Sequence, residues 1–289
     1  MVTQSTPTER SSAMRTPEPA KSRAALQKRV ERLLGEGRRG RSARAGQDIF
    51  PFLRSLGSAV LIGGAIRDVA RAGIRSFSSD LDFVIYGSPR DEFLSKVRDV
   101  GVRNKFGGFA ISGFGIKLDV WHLEDTWART AGLRRVETPA DLLNCTFFDW
   151  DSVIYELDTG KLVLPDDYFD RLSANVMDIR LEPNPNQMGA TVRALRRAAL
   201  WNVGFGPKLT QFCLRALETI PWDDLVALDS RAFPSPVLRR LSRSALLDNL
   251  AAPKQSVAGV ISVPVPIPQL GLSFAEDTCL SPYPPPVPA

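Results

Sequence analysis

Between residues 59 and 164, short apolar runs alternate with amphipathic stretches, the pattern of strands interleaved with helices. Residues 59–62 predict a short strand, and Gly63-Gly64 lead from it into a helix over 66–72. Leu81–Tyr86 predicts a second strand, and residues 89–100 a helix with proline in its first turn. Two hairpins follow: 109–112 with 116–120 about Gly113-Phe-Gly115, then 152–156 with 161–164 about Asp158-Thr-Gly160. After Pro165 the apolar period lengthens to that of helices, most clearly over 187–202, 207–219 and 236–250. The expected architecture is α+β: a mixed β-sheet head over 47–165, then a small all-helical domain over 166–252. No internal repeat is visible.

The two ends differ from this body. Residues 1–20, rich in Ser, Thr, Pro and Arg, predict disorder. Residues 24–34 predict a short basic helix with Ala25, Leu26, Val30, Leu33 and Leu34 near one face, and the Gly- and Arg-dense 35–46 should end it. From 253 onward nine of the last 37 residues are proline, which excludes helix and predicts an extended tail. The expected arrangement is thus a basic, largely disordered arm (1–46), the head, the helical domain and a Pro-rich tail (253–289).

Charge follows the same division. Residues 1–46 hold 11 Lys and Arg against four Glu, a net of +7, which leaves the remaining chain at −2. The basic balance therefore belongs to the arm, a candidate contact for nucleic acid or, with the tail, for a protein partner, although a solvated flexible extension is the more frequent outcome of such a pattern. No apolar run approaches the roughly 20 residues of a membrane span. With no secretory signal pattern at the first residues, the expected compartment is cytoplasmic. Three scattered cysteines (Cys145, Cys213, Cys279) form neither a disulfide framework nor a zinc cluster. His122 is the single histidine, so acid–base and metal chemistry falls to carboxylates, which suit Mg²⁺.

Those carboxylates are patterned. Asp80-Leu-Asp82 places two acids on one face of a strand, since residues i and i+2 point the same way. Asp119, in Lys117-Leu-Asp-Val-Trp121, occupies the face opposite Ile116, Leu118 and Val120 on a strand that could pair beside it. Adjacent carboxylates repel unless a cation lies between them. Asp80, Asp82 and Asp119 are therefore the candidate catalytic and metal-binding residues of a two-metal Mg²⁺ site, with Mn²⁺ as the alternative. Gly63 and Gly64 open a helix whose N–H groups can face a phosphate without an intervening Cβ. Arg67 can add a charged fork to that phosphate, and Asp68 can orient Arg67 or serve as a first-turn dipole partner, which makes Gly63, Gly64, Arg67 and Asp68 nucleotide-binding candidates. The competing reading of Asp80 is a turn after Ser78-Ser79, and paired glycines mark many ordinary turns.

Gly63-Gly-Ala-Ile-Arg-Asp68 followed by Asp80-Leu-Asp82 resembles the head domain of the tRNA nucleotidyltransferase and bacterial poly(A) polymerase family, within the polymerase-β-like nucleotidyltransferase superfamily. The resemblance extends over roughly residues 47–203. Thr146-Phe-Phe-Asp149 through Tyr155-Glu-Leu-Asp158 and Gly160 is similar to the family's stretch after the catalytic sheet. Val192-Arg-Ala-Leu-Arg-Arg197 is similar to its Arg-x-Leu-Arg helix. The resemblance implies transfer of a nucleoside monophosphate from an NTP, with ATP or CTP as donors and RNA as an acceptor. It also implies nucleotide contacts from Arg193 and Arg196; a basic helix face by itself is usually solvated or salt-bridged, and Arg197 reads as such a surface residue. Two departures stand out. Leu143-Asn-Cys145 replaces the family's basic pair, and no clear template for choosing C and A is present. The short helical region leaves little room for tRNA-gripping domains, which opens two alternatives: a protein or small-molecule acceptor, and a catalytically silent nucleotide- or RNA-binding homologue. Trp201 and Trp222 read as core packing before base stacking. Asp149, Asp151, Asp166 and Asp167 read as turn and helix-start residues, and His122 as structural.

Overall fold

The computed structural model describes residues 18–36, 41–77, 79–104, 106–112, 114 and 116–251. The expectations for residues 1–17, for the Gly113 and Gly115 positions of the first hairpin and for the Pro-rich tail lie outside them. The elements in chain order are α1 (Arg23–Glu36), α2 (Arg41–Leu56), β1 (Ser58–Ile62), α3 (Gly64–Ala72), β2 (Leu81–Tyr86), α4 (Arg90–Val97), β3 (Gly101–Arg103), β4 (Phe109–Ile111) and β5 (Leu118–His122). There follow α5 (Trp127–Thr130), β6 (Ile154–Glu156), β7 (Leu162–Val163), α6 (Tyr168–Ser173), β8 (Val176–Met177) and α7 (Gln187–Trp201). The chain continues through β9 (Gly204–Phe205), α8 (Pro207–Thr219), α9 (Trp222–Ala232) and α10 (Arg243–Ala251). The α+β organisation read from the sequence is present.

Seven strands form one mixed sheet in the order β3-β4-β5-β2-β1-β6-β7. Every pairing is antiparallel except β2 with β5, which run parallel at its centre. Directly paired residues project to the same face, so the register fixes what each face carries. Leu61, Phe83, Ile85 and Val120 enter the main core with α1, α2, α3 and α4. The opposite face carries Ile62, Asp82 and Asp119 in one row, then Val60, Val84 and Trp121 in the next. Part of this second face is roofed by the segment 123–145, whose Leu123, Val136 and Leu142 close a smaller cluster over Val60, Val84 and Ile154.

Several expectations need correction. The 35–46 stretch does not stay outside helix: α2 starts at Arg41 and runs through Gly46 and Pro51. Pro51 removes one amide donor from the helix, but Ile49, Leu53 and Leu56 are buried against the core, and that burial outweighs local propensity. Part of the arm is also built into the head. Leu26 and Val30 of α1 are fully buried, and Arg29 Nη1 donates to the Val69 and Ala70 carbonyls at the end of α3. The predicted helix over 236–250 breaks into a 3₁₀ turn at Leu238–Arg240 and α10. The region after Pro165 is not wholly helical either, since β8 and β9 pair in parallel.

The helical half is held together around α7, which packs against α8 and α9. Asn186 caps its first turn by accepting from the Gly189 amide, and Asn202 ends it in the left-handed conformation at φ 53°. Asp229 of α9, fully buried, accepts from Arg196 at 2.7 Å and from the Val237 and Leu238 amides at 2.6 and 2.8 Å. One buried carboxylate thus satisfies a guanidinium and two otherwise orphaned amides.

Candidate active site

A cavity of about 500 Å³ opens between the second sheet face and α7. Its floor begins at the turn after β1. Gly63 sits at φ 77° and ψ −124°, a conformation that glycine alone adopts at little cost, and it directs the chain into the first turn of α3. Gly64 packs under Ser79, where a Cβ would lie 3.1 Å from the hydroxyl and 3.4 Å from Arg67 Nη2. We expect Gly63→Ala to cost about 1–3 kcal/mol of stability through backbone strain, read from the midpoint of urea unfolding. A wild-type midpoint would show that the turn relaxes freely.

Asp80, Asp82 and Asp119 all line this cavity. Asp80 precedes β2, and its Oδ2 accepts from Lys117 Nζ at 2.6 Å. Asp82 and Asp119 are direct partners on the parallel strands β2 and β5. Burial, then the Asp119 and Asp80 carboxylates, holds Asp82 well above the ordinary carboxyl range. Burial pushes Asp119 up to about 6, with Lys117 opposing and Asp80 adding to the rise. This all-oxygen donor set fits a hard divalent cation, which would relieve the repulsion responsible for part of both shifts. Among the described residues no three His, Cys, Asp or Glu side chains stand ready-arranged around a metal position; the nearest cationic charge to Asp80 is the Lys117 ammonium.

Gly63, Gly64 and Arg67 border the same cavity, but Arg67 is already committed. Its guanidinium pairs with Asp68 at 2.8 Å and Asp151 at 2.6 Å, and it donates to Ser79 Oγ at 3.0 Å. Asp68 accepts from Arg67 Nε at 3.0 Å and from Ser79 Oγ at 2.6 Å. Burial works against the Arg67 charge, yet Asp151 and Asp68 raise its pKa above the ordinary arginine value.

Three sequence expectations change here. Arg197 is not at the surface: it is 8% exposed, with its guanidinium carbon 4.2 Å from the Phe148 ring centroid and Nη2 3.6 Å from Asp151. Burial, then the neighbouring Arg67 charge, lowers its pKa. Asp151, set aside as a turn residue, lines the cavity and joins Arg67 to Arg197. Burial alone would raise Asp151, but those two guanidiniums hold it below the ordinary range. Its signal in the sequence was position: it lies two residues beyond the Thr146-to-Asp149 motif, inside the segment similar to the family. Arg196 reaches the lining, although its charge is spent on Asp229, the Ser235 carbonyl at 2.8 Å and the Phe233 ring at 3.9 Å.

Arg193, half-buried, lines the cavity from α7. Trp201, at the end of that helix, combines both weighed readings: it packs on the core and also lines the cavity, with Arg71 at 4.3 Å and Arg67 and Arg197 at 5.4 Å from its ring centroid. Trp222 packs on the core and is not part of the lining. Asp149 pairs with Arg171 and accepts from the Asp178 amide, a structural role. Asp167 also pairs with Arg171. His122 is structural: Nδ1 accepts from the Glu124 amide, while Nε2 meets the Ser88 carbonyl at 3.1 Å. Of Leu143-Asn-Cys145, the stretch standing where the family has its basic pair, Cys145 lines the cavity, next to Leu142. No helix of the described residues is long and apolar enough to cross a membrane.

No family model matches the sequence, and no curated protein matches it. Solved structures do. A CCA-adding enzyme in complex with ATP is 19% identical, with a TM-score of 0.47 over 76% of this chain and 54% of that one. A CCA-adding enzyme with CTP is 19% identical, with a TM-score of 0.42 over 65% of this chain and 46% of its own. A tRNA nucleotidyltransferase complexed with a primer tRNA and an incoming ATP analog is 18% identical, with a TM-score of 0.43 over 66% of this chain and 55% of its own. The chain spans about half the length of these structures, and CCA-adding and tRNA nucleotidyltransferases are the proteins it is similar to.

Proposed function

We propose that this chain is a metal-dependent nucleotidyltransferase that moves a nucleoside monophosphate from an NTP to an acceptor hydroxyl and releases pyrophosphate. The observation that carries the reading is the in-register pair Asp82–Asp119, flanked by Asp80, on the floor of a cavity whose other wall is arginine-rich. Gly63 and Gly64 bring the start of α3 to that floor, where its first amides and helix dipole favour a phosphate. Arg193 faces the nucleotide from α7. Arg67 acts by shaping the turn with Asp68 and Asp151. Trp201 offers a ring face to a base. Mg²⁺, or Mn²⁺ in its place, would be held by Asp80, Asp82 and Asp119 and would supply charge neutralisation at the triphosphate and activation of the hydroxyl. The acceptor is a hydroxyl-bearing molecule, RNA 3′ ends included.

One observation favours a second reading, a silent nucleotide-binding homologue: Lys117 neutralises Asp80 directly. Titrating ATP and CTP with and without Mg²⁺, alongside pyrophosphate release, separates the two. The enzyme binds NTP more tightly with Mg²⁺ and turns over; Mg²⁺-dependent binding without pyrophosphate selects the silent homologue. Binding that ignores Mg²⁺ removes the metal assignment.

A further inference from the structure

The cavity has two chemically different ends. Its arginines all come from α3 and α7: Arg67, Arg193, Arg196 and Arg197. On the far side of Asp82 and Asp119, the same sheet face continues into Val84 and Trp121, which are direct partners one row beyond the carboxylates. Phe106, Trp127, Ala128 and Leu142 complete the wall of this end. Among the described residues this end adds no Lys or Arg to the lining.

This end is a built structure. Phe106 sits on the β3–β4 turn, which Asn104 holds by accepting from the Phe106 and Gly108 amides at 2.9 and 3.1 Å. Gly108 allows the Trp121 indole to lie against that turn; a Cβ there would fall within 2.5 Å of three indole atoms. Trp127 opens α5, and Thr126 beside it spends its hydroxyl on the Leu123 carbonyl at 2.9 Å. Three aromatic side chains from three separate segments thus line the cavity, with Trp121 one row from the Asp82–Asp119 pair.

An RNA end entering here would carry phosphates and polar base edges against apolar walls. Buried polar groups without partners are costly, and grip on a nucleic-acid backbone requires cations. The cavity, at about 500 Å³, lies in the range of a single drug-sized ligand. With a nucleotide at the arginine end, the wall left for an acceptor is that of Phe106, Trp121 and Trp127. We infer that the acceptor is a small, uncharged molecule whose hydroxyl is carried on an aromatic or aliphatic ring-sized body, held by Phe106, Trp121 and Trp127. This inference rests on the proposed transfer reaction. In it the acceptor oxygen forms a bond to the α-phosphorus as the bond from that phosphorus to the α–β bridging oxygen breaks. Pyrophosphate leaves with that electron pair, and the hydroxyl proton passes to a neighbouring carboxylate and then to water.

The experiment uses the full chain with Mg²⁺ and α-labelled NTPs, with 4-ethylphenol, cyclohexylmethanol or an RNA oligonucleotide bearing a free 3′-OH as acceptor. The expected result is at least a tenfold rise in pyrophosphate release with one of the two small probes, with the label transferred to it. Trp127→Ala should raise the probe's KM at least tenfold with the NTP dissociation constant unchanged. Phe106→Ala, on a partly exposed turn, should do the same and guards against a folding failure in the first variant. Label on RNA but on neither probe overturns the acceptor class and leaves the transferase standing. A probe KM unmoved in both variants overturns the placement. Pyrophosphate from no acceptor, with NTP bound, removes both the inference and the transfer reaction beneath it.

Discussion

Asp82→Asn is expected to abolish transfer while making the folded protein more stable. The activity loss should reach about 10³-fold or more, or about 4 kcal/mol at 1.36 kcal/mol per decade, because the amide cannot supply the anionic ligand at the centre of the row. The stability gain follows from linkage. Burial and the Asp119 and Asp80 charges raise the folded-state pKa of Asp82 above its ordinary value. Its contribution to stability is therefore fully present below about pH 4, the unfolded carboxyl range, and is lost as pH rises through the higher folded value. Asparagine never ionises, so thermal unfolding in EDTA at pH 7.5 should show a higher Tm for the variant. Near pH 4 the two curves should converge. Asp119, pushed up to about 6, should leave a residual fall in stability between about pH 4 and pH 6 in the variant as well. A Tm difference independent of pH would assign the gain to something other than this charge.

The largest expected loss of stability comes from Asp151→Ala. This carboxylate bridges Arg67 at 2.6 Å and Arg197 at 3.6 Å, and all three side chains are largely shielded from water. Removing it leaves the Arg197 guanidinium beside Arg67, which keeps Asp68 as a partner, and breaking a buried pair from one side costs about 3–5 kcal/mol. The Tm should fall by on the order of 10 °C for a domain of this size. Arg197→Leu in the same background should recover part of the loss, because the charge that lost its carboxylate is gone. A Tm within about 2 °C of wild type for Asp151→Ala would mean that water replaces the carboxylate without penalty. Arg67 also orders the glycine turn through Asp68 and Ser79, so the substitution should weaken NTP binding along with the fold.

The central part of the sheet was legible because its signals are local. Leu81–Tyr86 and Pro207–Thr219 coincide with β2 and α8, where an apolar run or an N-terminal proline marks the boundary. The adjacency of Asp82 and Asp119 was legible as well, since both lie on alternating strands with one apolar face. What local pattern could not reveal depends on distant partners. Helix α2 crosses Gly46 and Pro51 because Leu53 and Leu56 find a core. Arg197 belongs to a helix face that reads as solvated until Asp151 and Phe148, some fifty residues earlier, arrive beside it. Asp229 showed no motif, and its importance comes from the Arg196 guanidinium and two loop amides converging on it. The aromatic end of the cavity was likewise invisible, since Phe106, Trp121 and Trp127 come together only through the sheet register and a tight turn.

The most direct test of the transferase is label transfer from each of the four α-labelled NTPs, with Mg²⁺, to a mixture of total RNA, protein and small-molecule extract. An Asp80→Ala/Asp82→Ala variant of matched folding, verified by circular dichroism, runs beside it. Label is expected in one acceptor fraction, stoichiometric with pyrophosphate, and none in the variant. Equal labelling by the variant would contradict the carboxylate site, and no labelling of any fraction by the wild type would contradict the transferase.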